Sequence, residues 1–203
     1  SLAVASASRV PFTTFTLTNN SSAAVTINSV TVQRTGLGVD ANFSGVVLLD
    51  SNGLQVGNAK TFNSNHQANI GDTGFTLAAG ASMPFTVAGN MAAAATVQSG
   101  QVVSLQVVAI NTSAPVSGSL PITGASQTIN STLTLGSVST STSSVVPVTS
   151  TSHSQNIGDV GVRFAGLKFT AGSTEALKLY SIRWRQIGSA SSVDMGNVVT
   201  NAA

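Results

Sequence analysis

The stretch AVTINSVTVQR, residues 24–34, alternates apolar and polar side chains, which is the pattern of a strand with one buried face. The alternation slips once, because Val25 and Ile27 share one parity whereas Val30 and Val32 share the other. Successive side chains of a strand point to opposite faces, so one extra residue must lie between the two pairs. The stretch therefore predicts a strand that is interrupted by a β-bulge.

The same irregularity occurs again near the end of the chain. Residues 10–38 align with residues 162–190 without a gap, and most apolar positions of one copy meet an apolar residue in the other. Bulges are therefore predicted at Asn28-Ser29 and at Tyr180-Ser181. Two strands with one shared irregularity indicate a duplicated β-fold.

Period-2 alternation recurs along the chain, with Gly, Asn, Ser and Asp between the runs, and this favours an all-β fold of short antiparallel strands. Further strands are predicted near residues 10–18, 45–50, 54–58, 74–78, 83–88, 101–110 and 128–138. The N-terminal SLAVASAS is also interpreted as a strand, and one helical turn is predicted at NMAAAAT, with Asn90 as its cap. The expected core of the first copy is apolar: Phe12, Phe15, Leu17, Val25, Ile27, Val30 and Val32.

The composition is poor in charge. Asp, Glu, Lys and Arg make up 7% of the residues, against about 25% in an average globular protein. A surface of Ser, Thr and Asn can pack against copies of itself with little charge to desolvate. The net charge of +2 provides no dense Lys/Arg patch for nucleic acid, cysteine is absent, and no apolar run approaches the roughly 20 residues of a membrane span.

The repeat divides the chain into three parts. Residues 1–138 are expected to form one antiparallel β-sandwich, residues 139–158 a Ser/Thr-rich linker, and residues 159–203 the first strands of a second, incomplete sandwich. Either the chain is a piece of a longer repeat protein, or a strand from a neighbouring subunit completes the partial copy. On the second reading, residues 1–8 are the candidate inserting strand.

The strand and turn patterns resemble the repeated β-sandwich modules of long secreted bacterial surface proteins, S-layer-like and adhesin-like chains among them. The segments that carry the resemblance are Phe-x-x-Phe-x-Leu (12–17), AAVTINSVTVQRTGLG (23–38), VVLLDSNGLQVG (46–57), LAAGASMPFTVAGNM (77–91) and SGQVVSLQVVAI (99–110). The resemblance implies an exported Ig-like sandwich with a structural role, and it brings no catalytic residues. No metal and no cofactor are expected.

The function expected from these features is that of a structural subunit in an extracellular surface layer or filament, whose partners are other copies of itself. A carbohydrate-binding or adhesive surface module is the alternative, with glycans as its ligands. A capsid or tail-fibre domain of a virus is the third. An enzyme is not expected, because the two histidines, His66 and His153, lie far apart in polar loops.

Two groups of residues are candidates for a binding site. Trp184 is the only tryptophan and occupies the apolar column, so a core position is favoured over a ligand platform. With Tyr180, Arg183 and Arg185 it remains a possible ligand or interface patch. Asp50 and Asn52, in LLDSNGLQVG, fit a hairpin turn better than the opening of a calcium loop, since the later carboxylates of such a loop are missing.

Five asparagines satisfy the Asn-x-Ser/Thr rule for glycosylation, which matters if the host glycosylates exported proteins. They are Asn19, Asn20, Asn42, Asn111 and Asn130.

Overall fold

The computed structural model describes residues 1–143, 156, 159–162, 165–174, 176–179 and 182. These residues form strands and one 3₁₀ turn, Asp40–Asn42, so the predicted all-β fold is confirmed. The strands are β1 (Leu2–Val4), β2 (Val10–Thr18), β3 (Val25–Gly36), β4 (Phe43–Leu49), β5 (Gln55–Lys60), β6 (Gln67–Ile70), β7 (Phe75–Leu77), β8 (Ser82–Met91), β9 (Val102–Thr112), β10 (Ile122–Thr123), β11 (Gln127–Asn130), β12 (Val138–Thr142) and β13 (Leu167–Ala171). No helix in the described part of the chain is long and apolar enough to cross a bilayer.

The chain divides into two compact units, Ser1–Leu135 and Gly136–Ala203. The first unit contains two sheets. One sheet has seven strands in the order β1-β11-β9-β3-β6, with β10 also paired to β9 and β7 to β3, and the other has four in the order β2-β8-β4-β5. In the second unit, β12 and β13 pair antiparallel as a two-stranded ribbon.

The core of the first unit lies between its two sheets. Four aromatic pairs hold ring centroids 4.8–5.8 Å apart, and the tightest pair is Phe75 with Phe85. Branched aliphatic side chains of the seven-stranded sheet pack against these rings. Of the predicted core, Phe12, Phe15, Ile27, Val30 and Val32 are buried, whereas Leu17 and Val25 are only half-buried.

The predicted bulge in the first copy is confirmed. The pairing of β3 with β9 shifts register between Ile27 and Ser29, so Asn28 is the extra residue. Ile27 and Val30 are three positions apart, so a regular strand would place them on opposite faces. The extra residue keeps both on the buried face. The matching bulge predicted at Tyr180-Ser181 lies outside the described residues.

Two expectations about local structure are wrong. Asn90 does not cap a helical turn, because it lies in β8 and its Oδ1 accepts a hydrogen bond from the Arg9 amide at 2.9 Å. The strand expected at 128–138 ends at Asn130, whose Oδ1 accepts the amides of Thr132 and Leu133 at 3.0 and 2.8 Å. This side-chain turn competes with the strand ladder and breaks it.

The ends of the expected parts also differ. The segment expected as a linker from residue 139 begins inside β12, which is paired along its whole length with β13. The N-terminal segment is a strand, as expected, but β1 pairs parallel with β11 of its own unit, and Ala3 and Ala5 are buried there. Residues 1–8 therefore form part of their own sandwich. The prediction that they insert as a strand into a neighbouring subunit is wrong.

Candidate functional site

The most unusual feature of the first unit is the outer side of β2, an edge strand of the four-stranded sheet. The Asn19 amide donates to the Ala81 carbonyl at 2.9 Å, on the side of β8. The backbone N–H and C=O groups of successive residues point to alternate sides of a strand, so those of Leu17 are also directed at β8. The N–H and C=O groups of Thr14, Thr16 and Thr18 point away from β8. Pro84, which lies opposite Thr16 and lacks an N–H, fits this alternation.

Described residues cover only the first half of this outer side. The Ala125 amide donates to the Phe12 carbonyl at 2.9 Å, and Gln127 Nε2 donates to the Pro11 carbonyl at 3.0 Å. At Gly124 the chain passes so close that a Cβ would lie 2.0 Å from the Phe12 oxygen. Past this point no described residue pairs with Thr14–Thr18, which we call the open edge.

A cleft of about 590 Å³ lies beside the open edge, between it and the end of β9. Its apolar lining includes Leu17, Val25, Ile27, Leu77 and Ile110, and no charged residue contributes to it. Leu17 and Val25 are the two expected core residues that remain half-buried. The cleft is therefore a part of the core that the first unit leaves accessible.

Asn19 fixes the shape of the cleft at its end. Its Nδ2 donates to the carbonyls of Ala23, Leu77 and Ala78 at 2.8–3.1 Å, and its Oδ1 accepts the Ser21 amide at 3.0 Å. These bonds join the end of β2 to the end of β7. The rim is thus held by a satisfied, almost fully buried side chain.

The ribbon of the second unit exposes apolar side chains. Val138, Leu167 and Phe169 share one face, since Val138 pairs with Ala171 and Phe169 with Thr140. Their exposed fractions are 51%, 41% and 39%. The repeat aligns Leu167 and Phe169 with Phe15 and Leu17, which lie on the core face of β2, so the same column is buried or half-buried in one copy and exposed in the other.

His66 is exposed, as expected, but it is not isolated. Its Nδ1 lies 2.7 Å from Asp40 Oδ2, and the other carboxylate oxygen of Asp40 accepts a hydrogen bond from Arg34 Nε. Partial burial raises the pKa of Asp40, whereas the hydrogen bonds from Arg34 and His66 lower it. The lowering effects together are larger, so the pKa of Asp40 lies below its usual value of 3.8. Arg34 also donates to the Gly38 carbonyl, so the cluster anchors the 3₁₀ turn to β3.

Asp50 and Asn52 form the predicted turn. Asp50 Oδ1 accepts the amides of Asn52 and Leu54 at 2.8 and 2.9 Å, and the Gly53 amide donates to the Asp50 carbonyl at 3.0 Å. The carboxylate therefore stabilises the β4–β5 connection. Within the described residues, no group of three or more His, Cys, Asp or Glu side chains is placed to hold a metal ion.

The five glycosylation candidates differ in exposure. Asn42 is fully buried, with its Nδ2 on Gln101 Oε1, and Asn19 is buried in the rim of the cleft. Asn111 Nδ2 donates to Ser29 Oγ and Thr31 Oγ1, and Asn130 Oδ1 accepts the Leu133 amide in the turn that follows β11. Asn20 is the candidate whose side chain is exposed.

The other candidate patch, Tyr180, Arg183, Trp184 and Arg185, lies outside the described residues, as does His153. Thr14, Thr16 and Thr18 are not among the site residues predicted from the sequence. Their lack of charge favours a covered strand over an edge, because edge strands are usually protected by charged side chains.

Comparison with protein-family models, with curated proteins and with solved structures finds no match.

Proposed function

We propose that this chain is a structural subunit of an extracellular assembly, a surface layer or a filament, whose partners are other copies of itself. Its sandwich would be an Ig-like module of the kind found repeated in long secreted bacterial surface proteins. The observation that carries the proposal is an uncharged open edge beside an apolar cleft.

An unpaired strand edge is a template for another strand, and soluble proteins commonly block it with lysine, proline, a bulge or a covering loop. In the described part of this chain, a covering segment blocks only the first half of β2, through Ala125 and Gln127. The second half has three threonines and no charge. The cleft adds apolar surface that an incoming strand would bury.

The scarcity of charge supports the same proposal. Ion pairs are few in the described residues, and those present, such as Lys60 with Asp72 at 2.6 Å, lie away from the cleft lining. Two copies could therefore meet at the open edge without desolvating a charge. Extracellular location is part of the proposal, and it follows from the Ser/Thr-rich composition together with the resemblance.

The test is the mass of the purified chain as a function of concentration, measured by sedimentation velocity and followed by electron microscopy. We expect the weight-average mass to rise with concentration. Because the contact is uncharged, raising the NaCl concentration should not weaken assembly.

A chain that stays monomeric at every concentration and shows neither sheets nor fibres would contradict the proposal. A glycan array on the same material provides a second reading. Glycan binding by a chain that does not assemble would favour the adhesive alternative.

A further inference from the structure

We infer that the open edge of β2 accepts the strand Val138–Thr142 of a second copy, antiparallel and in one register. The inference rests on the proposed function, which it makes specific by naming the strand. The internal repeat supplies the argument, because the second unit shows a strand in place where the first unit has none.

The alignment of the two copies matches β13, Leu167–Ala171, with residues 15–19 at the end of β2. In the ribbon, the Gly172 amide donates to the Ser137 carbonyl at 2.7 Å, and the Ser143 amide to the Gly166 carbonyl at 3.0 Å. By alternation, the N–H and C=O groups of Lys168 and Thr170 point towards β12.

Lys168 and Thr170 are the equivalents of Thr16 and Thr18. The backbone groups of these two threonines point away from β8, along the open edge. β12 therefore pairs with the edge of β13 that is equivalent to the open edge of β2. The ribbon shows which kind of strand this edge takes: a short, uncharged Ser/Thr strand, antiparallel to it.

The ribbon also defines the register. Ser141 pairs with Lys168 and Ser139 with Thr170, so in the exchanged position Ser141 would lie opposite Thr16 and Ser139 opposite Thr18. Val138 would then lie opposite Asn19.

The same register places apolar surface in the cleft. Paired side chains share a face of the sheet, and Leu17 and Asn19 lie on the face of β2 that borders the cleft. Val138, half-exposed in the ribbon, would therefore enter the cleft towards its apolar lining. Neither the strand nor the lining carries a charge, so the two surfaces are compatible.

Exchange of β12 is physically accessible. A two-stranded ribbon is marginally stable by itself in water, and all five side chains of β12 are exposed there. Pairing with β2 replaces one set of antiparallel hydrogen bonds with another and adds the burial of Val138.

Cysteine cross-linking tests the register, because the chain has no cysteine of its own. Full-length Thr16→Cys is mixed with full-length Ser141→Cys at a concentration where the wild type assembles, and then oxidised. Both positions are exposed, so neither change disturbs a core. Directly opposed residues of an antiparallel pair have Cα atoms about 4.5–5.5 Å apart, within the range of a disulfide.

Two control mixtures accompany this pair. Thr16→Cys with Thr140→Cys places the two thiols on opposite faces of the exchanged sheet, so the disulfide-linked dimer should be lost. The double variant Ser141→Cys/Lys168→Cys reports pairing of β12 within its own chain, because these two residues lie opposite each other in the ribbon. Its internal disulfide should form in lower yield when the reduced protein is oxidised after assembly than when it is oxidised in dilute solution.

Disulfide-linked dimers from Thr16→Cys with Ser141→Cys, and none from the Thr140→Cys mixture, are the expected result. Assembly without that dimer, or equal dimer yields in both mixtures, would overturn the strand exchange and leave the proposed function standing. A wild-type chain that does not assemble at all would overturn both.

Discussion

Replacing Phe85 with alanine is expected to lower the free energy of unfolding by about 3–5 kcal/mol, the usual cost of removing a large core aromatic side chain. Phe85 is 1% exposed in the middle of β8. Its ring centroid lies 4.8 Å from that of Phe75 and 5.8 Å from that of Phe15, so the substitution leaves a cavity between the two sheets.

Urea unfolding followed by far-UV circular dichroism measures this loss. Leu37→Ala is the matched control, because Leu37 is 88% exposed and its truncation should change the free energy by less than about 0.5 kcal/mol. Equal effects of the two substitutions would contradict the placement of the core between the two sheets.

Replacing Arg34 with methionine is also expected to lower the free energy of unfolding. Methionine keeps most of the buried aliphatic volume but removes the donors to Asp40 and to the Gly38 carbonyl. We expect a loss of about 2 kcal/mol, which is towards the lower end for broken hydrogen bonds to charged groups, because Asp40 is about one-third exposed.

The effect of Arg34→Met should depend on pH. The pKa of Asp40 is lowered in the folded protein, so its carboxylate contributes stability that is present above pH 3.8 and is lost as the pH falls through the folded pKa. The difference between wild type and variant is therefore expected to be largest near neutral pH and to shrink in acid. A difference that grows below pH 3.8 would contradict the Arg34–Asp40 pairing.

Much of the first sandwich could be predicted from local pattern. Alternation located β2 at its observed bounds, and the break in alternation located the bulge at Asn28, because both depend only on which face each side chain takes. The turn at Asp50 could be predicted for a similar reason, since its side chain bonds to amides two and four residues away.

The open edge could not be predicted in this way. Alternation gives the faces of a strand but not its neighbours. The edge is open because the segment before Gly124 pairs with β9, as β10, and no described residue pairs with Thr14–Thr18. The short strand Gln67–Ile70 was also missed, and it pairs with β3 across the sheet. Its polar residues Gln67 and Asn69 weaken the apolar signal, although Ala68 and Ile70 are buried.

Amide hydrogen exchange is the most direct test of strand addition at the open edge. In dilute protein, we expect the outward-pointing amides of Thr16 and Thr18 to exchange fast, whereas the Leu17 amide, directed at β8, is protected. In the assembled protein, Thr16 and Thr18 should become protected while Leu17 stays as it was. Fast exchange at Thr16 and Thr18 in fully assembled material would contradict strand addition at this edge.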